Sequence, residues 1–170
     1  MKKRWIASAA VCCLLLAACG NTAAATEAAQ IAQALSLSSL PAPAAVSRED
    51  THGGFHGDGE TFAALTFDED AAPQLETALA EAGWSALPME ETLSIFAFGG
   101  EKDGITYSYN VLASRGVTPP ENGWYYFLDR HSEASDADGA AGLLARSSIN
   151  CTLALYDADA DTLYYYEMDT

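Results

Sequence analysis

Alternation of apolar and polar side chains is the strongest pattern in the second half of the chain. Between Ile105 and Val111 every second residue is apolar or aromatic, and a period of two indicates a strand with one buried face. With four further stretches of strand-like composition, the predicted strands cover residues 61–67, 105–111, 124–130, 148–157 and 162–168. The link Ala158–Asp161 between the last two is made of short residues that favour turns, so it predicts a hairpin.

Helical spacing occurs in fewer places. Leu75, Leu79 and Ala82 recur at helical spacing, which predicts a helix over residues 71–82, and Gly83 suits its C-terminal end. A shorter helix is predicted over residues 90–97, and residues 140–145 could add one turn. Because short turns join most of the strands, the expected fold class is α+β: a mainly antiparallel sheet of about five strands with two or three short helices on one face.

The face of the sheet without helices is expected to show some of the aromatic side chains Tyr125, Phe127, Tyr156, Tyr164 and Tyr166. An aromatic face can bind sugar rings or a partner strand. Aromatic cross-strand pairs also stabilise ordinary sheets, and this structural interpretation is the one that we favour.

The first twenty-one residues have the composition of an export signal. Positive residues at positions 2–4 precede an apolar run from Ile6 to Ala18, which is shorter than the roughly 20 apolar residues of a spanning helix. The run ends in Leu16-Ala17-Ala18-Cys19, which resembles the lipobox of bacterial lipoproteins. The resemblance implies cleavage before Cys19 and a diacylglyceryl group on its thiol, and it covers only this segment. The protein is then expected at the cell membrane, lipid-anchored and facing outside the cytoplasm.

The next segment, Thr22–Asp50, is rich in Ala, Ser, Thr and Pro. A helix over Thr26–Leu40 would have a thin apolar face, and prolines at positions 41 and 43 would end it. We therefore interpret residues 19–45 as a lipidated cysteine followed by a spacer, residues 1–18 as the signal peptide, and residues 46–170 as a single folded domain.

Charge and cysteine content limit the partners and the chemistry. The chain has 24 acidic and eight basic residues, and three of the basic ones lie in the signal, so the mature chain carries 5 − 24 = −19 formal charges. Such a surface repels nucleic acid and anionic headgroups. The expected partners are the membrane, through the anchor, and an extracytoplasmic protein or small ligand. With Cys19 lipidated, Cys151 is the single cysteine left in the mature chain, which excludes an intramolecular disulfide and predicts a buried, inert thiol.

The segment from Asp50 to Thr61 has the densest chemistry, with two histidines, three carboxylates and four glycines. Histidine and carboxylate groups bind divalent metals, and glycines let a short loop bring such groups together. His52, His56 and Asp58, completed by His131 or Glu60, are therefore candidate ligands for a divalent metal. Without a metal, the same groups could supply a general base and its orienting acid.

A structural or ligand-binding loop is the alternative that we favour for this segment. Its glycines suit a turn, and its histidine spacing matches no zinc signature, because His-x-x-x-His is diagnostic only on a helix with an intervening Glu. The segment, together with Asp129-Arg130-His131-Ser132-Glu133, resembles parts of small bacterial secreted proteins of no known activity, so the resemblance transfers no site residue.

The aspartates of Asp157-Ala158-Asp159-Ala160-Asp161 are similar in spacing to the first half of an EF-hand calcium loop. The sixth position is Thr162 instead of glycine and the twelfth is Met168 instead of glutamate, so a solvated hairpin turn is favoured.

Two hypotheses remain from the sequence. The first is a non-catalytic surface lipoprotein whose domain binds a ligand or partner. The second is a metal-dependent hydrolase that uses His52, His56, Asp58 and His131. We favour the first, because no specific catalytic motif is present.

Overall fold

The computed structural model describes residues 22–53, 57–131, 139–140 and 142–170. Within these ranges the α-helices are α1 (residues 22–34), α2 (Ala72–Glu81) and α3 (Glu91–Phe98). The strands are β1 (Ala45–Asp50), β2 (Gly59–Thr66), β3 (Ser85–Ala86), β4 (Gly100–Lys102), β5 (Ile105–Tyr107), β6 (Gly123–Asp129), β7 (Asn150–Asp157) and β8 (Thr162–Asp169). Short 3-10 turns cover Ala113–Arg115 and Leu143–Ala145.

Six strands form one antiparallel sheet in the order β1-β2-β8-β7-β6-β3, and β4 and β5 form a separate hairpin. The α+β class with an antiparallel sheet is thus confirmed, as is the hairpin that joins β7 to β8. The pairing of Gly59 and Asn150 with Asp169 brings the end of β8 beside the start of β2 and of β7. We call this end of the sheet the Asp169 end.

Both faces of the sheet are covered, so the expectation of helices on one face is wrong. Leu75 of α2 and residues of α1 pack with Leu163 and Tyr165 on one face. Phe96 of α3 packs with Tyr166 and neighbouring residues on the other. Period-two alternation in β2, β7 and β8 sends successive side chains to opposite faces, and apolar residues at both sets of positions require two covering layers.

Because both faces are covered, the prediction of a helix-free face with exposed aromatic side chains is wrong. Tyr166 and Phe127 are buried under α3 and the segments that follow it, while Tyr156 is buried on the opposite face, with α1 and α2. Ring contacts such as the stacked pair of Phe62 and Tyr164, with centroids 6.4 Å apart, show the structural role that aromatic pairs have in this sheet.

The interpretation of residues 19–45 as a spacer must also be corrected, because α1 is part of the core. Ala28, Ile31, Ala32 and Leu35 lie at helical spacing and are all buried against the sheet and α2. Leu35 is only 1% exposed. The packed domain therefore begins well before Val46. No helix among the described residues is long and apolar enough to cross a bilayer.

The strand predicted over residues 105–111 is the other local error. β5 ends at Tyr107 and pairs only with β4, and Ile105 is 57% exposed instead of facing a core. Val111 is buried, but its N–H donates to the carbonyl of Phe96 in α3 (3.2 Å) and not to a strand. The chain leaves the hairpin here and closes over the second face of the sheet.

Candidate functional site

His52 lies at the Asp169 end of the sheet, just past the end of β1. The chain turns there and returns as β2, whose first residue is Gly59. A Cβ at Gly59 would lie 2.7 Å from the backbone N and Cα of His52, closer than real Cβ atoms come. Glycine at this position therefore leaves room for the backbone of His52 to pack against the start of β2.

Carboxylates face both nitrogens of the His52 ring. Nδ1 lies 2.9 Å from Oδ1 of Asp50, which also accepts the backbone N–H of His52 at 2.9 Å. Nε2 lies 3.5 Å from Oδ2 of Asp169 in β8, which is long for a hydrogen bond. Hydrogen bonds from Arg48, and from the backbone and ring of His52, hold the pKa of the Asp50 carboxyl far below its usual value.

The same polar network continues across the sheet. Asp169 accepts a hydrogen bond from Arg130 at 2.7 Å, and Arg130 also pairs with Glu167 at 3.0 Å. In the other direction, Arg48 bridges Asp50 at 2.7 Å and Glu27 of α1 at 2.5 Å. These contacts connect α1, β1, β8 and Arg130, the residue that follows β6, so the network links separate parts of the chain.

The geometry around His52 does not make a nucleophilic site. Asp50 and His52 are arranged like an orienting carboxylate and a base. The Thr61 hydroxyl, however, lies 3.2 Å from Nδ1, on the side of the ring that Asp50 already engages. Nε2 is buried, and no hydroxyl or thiol of the described residues lies within hydrogen-bonding distance of it. The network supports a structural role for His52.

The metal candidates that the structure describes do not form a metal-binding group. Asp58 is exposed, His56 lies outside the described residues, and His131 follows the end of β6. Strands β7 and β8 separate β6 from β2, a distance of roughly 14 Å for three steps between strands. Among the described residues there is no group of three histidine, cysteine or carboxylate side chains that could hold a metal ion.

Asp129 and Arg146 form a buried ion pair next to His131. Both carboxylate oxygens of Asp129 accept from the guanidinium of Arg146, and Oδ1 also accepts the backbone N–H of His131 at 3.1 Å. Burial by itself would raise the pKa of the Asp129 carboxyl, but the hydrogen bonds from Arg146 and from the backbone N–H of His131, together with the charge of Arg146, outweigh burial and leave the pKa below its usual value. The Asp129 side chain is 1% exposed, so the pair closes the core at this point.

Two other candidate groups also have structural surroundings. The free thiol of Cys151 is buried in β7, and burial raises its pKa to about 12. In the β7–β8 hairpin, Asp157 Oδ1 accepts the backbone N–H groups of Asp159 (3.0 Å) and Ala160 (3.1 Å). The Asp159 carboxylate accepts from Asn122 Nδ2 at 3.0 Å. These aspartates shape a turn, which agrees with the hairpin interpretation.

An aromatic groove beside β3 was not predicted from the sequence. It lies where the C-terminal end of α2 turns into β3, has a volume of about 230 Å³, and is lined by Ala82, Gly83, Trp84, Ser85, Tyr125, Tyr126 and Phe127. The rings of Trp84 and Tyr126 stack with centroids 5.6 Å apart. The buried Nε1 of Trp84 has no hydrogen-bond partner within the described residues, a cost that native proteins accept at few positions. The density of aromatics in residues 124–127 was the only signal of this groove in the sequence.

No protein-family model matches this chain, and neither the curated proteins nor the solved structures contain a significant match.

Proposed function

We propose that the protein is a membrane-anchored extracytoplasmic lipoprotein, attached through Cys19, whose domain binds a partner protein and catalyses no reaction. The observation that carries the proposal is the aromatic groove beside β3. Trp84 is buried in the core, whereas the half-buried rings of Tyr125 and Tyr126 border this depression, and tyrosine is enriched among the anchors of protein interfaces.

The size of the groove favours a protein partner over a small ligand. Small-molecule sites usually enclose about 300–1,000 Å³, whereas this groove has about 230 Å³. That volume suits one side chain of a partner. Arg or Lys suits it best, because a cation binds favourably over tyrosine rings such as the half-buried Tyr125 and Tyr126 and because the mature chain carries −19 charges, which attract a basic surface.

The surroundings of the ionisable groups support a non-catalytic role. His52 is held by Asp50 and faces Asp169, and Cys151 is buried with a raised pKa. The alternative, a metal-dependent hydrolase that uses His52, His56, Asp58 and His131, gains no support from the described residues.

Site-specific photocrosslinking in cells tests the proposal. A benzophenone amino acid replaces Ala82, an exposed residue of the groove, and in a control it replaces Ser47, an exposed residue of β1 at the opposite edge of the sheet. We expect a discrete protein adduct from position 82 and none from position 47. The adduct should be lost with Ser85→Lys and kept with Ser85→Glu, since only the lysine repels a basic partner.

Several outcomes would contradict the proposal. Equal adducts from positions 82 and 47 would indicate non-specific contact. If Ser85→Lys and Ser85→Glu gave the same yield of adduct, the partner would not be basic. Loss of cellular function in a folded double variant, His52→Ala with His56→Ala, would favour the hydrolase instead.

A further inference from the structure

The covalent anchor and the first helix lie very close together in the sequence. α1 is described from residue 22 onward, and Cys19 is three residues earlier. Three residues span at most about 11 Å, whatever their conformation. Since α1 is packed into the core through Ile31 and Leu35, a lipid attached at Cys19 would hold the folded domain close to the membrane.

The surface nearest this anchor is almost free of charge. Residues 22–46 include α1 and the segment that returns along it, and they contain one of the 24 acidic residues of the chain, Glu27. Arg48 pairs with Glu27 at 2.5 Å and shares its positive charge between Glu27 and Asp50. The exposed residues of α1 are Thr, Ala and Gln, and the loop after it exposes Ser and Ala.

The acidic residues are concentrated elsewhere on the domain. The β7–β8 hairpin and the β2–α2 turn together contain six of the 24 acidic residues, at positions 157, 159, 161 and 68–70. Asp68, Glu69 and Asp70 approach this surface, because they share a shallow depression with Ala42. Asp50 lies at its other edge, where it pairs with Arg48. At physiological salt, charges on a protein interact with charged headgroups over a distance of about 8 Å. A domain with −19 charges that is held close to the membrane by a short anchor therefore has less repulsion if the surface nearest the membrane is neutral.

We propose that the uncharged surface formed by α1 and residues 37–46 lies against the membrane in which the anchor is embedded. This proposal rests on the proposed lipidation of Cys19 and adds the orientation of the domain. A groove of about 420 Å³ runs along this surface and is lined by uncharged residues from Ala25 to Ala42. The β4–β5 hairpin lies beyond α3 on the far side of the sheet, roughly 20 Å away for two layer spacings, and faces away from the membrane.

Fluorescence quenching in reconstituted vesicles tests the orientation. The full chain is expressed in a bacterium, and single variants Ser39→Cys and Ile105→Cys are labelled at these exposed positions; Cys151 is buried and does not compete. The vesicles contain phosphatidylcholine with a quencher on the headgroup. We expect at least twofold stronger quenching at position 39 than at position 105.

A spacer variant provides the matched control. Thirty Gly and Ser residues inserted between Asn21 and Thr22 span roughly 30 Å as a flexible coil, so quenching at position 39 should fall to the level of position 105. Equal quenching at the two positions of the original chain, or no effect of the spacer, would overturn the orientation. The intact mass separates the two proposals: protein without acyl mass would overturn the anchor and the orientation together, whereas acylated protein with equal quenching would overturn the orientation alone.

Discussion

The contribution of α1 to stability can be measured with one substitution. Leu35→Ala removes a side chain that is 1% exposed and packs in the main core. Leu→Ala changes at such positions cost about 3 kcal/mol, from the lost transfer free energy and the cavity left behind. For a domain of this size, each kcal/mol lowers the melting temperature by about 2–4 °C, so we expect a decrease of about 6–12 °C.

Residues 22–170 contain every element described above and are the chain to use in this assay. Urea unfolding followed by tryptophan fluorescence gives the free energy of unfolding, and a thermal scan gives the melting temperature. Gln33→Ala is the matched control, because Gln33 lies on the exposed side of the same helix and its loss should change stability by less than about 0.5 kcal/mol. If Leu35→Ala also stayed within that limit, α1 would be a spacer and not part of the core.

Three further predictions concern the core. Arg146→Ala leaves the buried Asp129 carboxylate unpaired and should lower the free energy of unfolding by about 3–5 kcal/mol at pH 7. The pKa of Asp129 is lower in the folded protein than in the unfolded chain. The stability from this pair is therefore fully present above the unfolded pKa, near pH 4, and is lost as the pH falls through the folded pKa. The free energy of unfolding of the variant should not show this loss in acid. Cys151, buried with a pKa of about 12, should react with iodoacetamide at pH 8 only as fast as the domain opens, and rapid alkylation of the native protein would contradict its burial. Gly123→Ala places a Cβ 1.9 Å from the carbonyl oxygen of Tyr156 at a φ of +142° and should cost about 3 kcal/mol, whereas Gly53→Ala, with open space around it, should be neutral in the same urea assay.

Most of the sheet could be predicted because its strands have local patterns. β2, β6, β7 and β8 are rich in β-branched and aromatic residues, and the short link Ala158–Asp161 specifies the last hairpin. β1 escaped prediction because its sequence, Ala45–Asp50, is half charged and lies at a sheet edge, where charges are common and discourage further pairing. Its strand character comes from pairing with β2 and not from its own composition.

The role of α1 was misjudged because alanine gives a weak hydrophobic signal. Ala28 and Ala32 are buried between the larger Ile31 and Leu35, and small side chains let the helix lie close to the sheet. The apolar positions of this helix were visible in the sequence, but their value depends on the surface that receives them, which is formed by strands more than 100 residues away, such as β8.

The surroundings of His52 followed only in part from the sequence. Asp50 is its neighbour in the chain, so their contact was foreseeable, whereas Asp169 reaches the ring only because β8 pairs with β2. The aromatic groove depends in the same way on the meeting of Trp84 with β6. Which residues meet in a site depends on how strands from distant parts of the chain pair, and a single sequence contains little information about this pairing.

The metal content of purified residues 22–170, with thermal unfolding before and after a chelator, tests most directly whether the domain is a binding module or a hydrolase. We predict no stoichiometric metal and a melting temperature that neither the chelator nor added zinc changes, because His52 is engaged by Asp50 and faces Asp169. A stoichiometric ion, together with a clear decrease in melting temperature on chelation, would contradict the account and assign His52, His56, Asp58 and His131 to a metal centre.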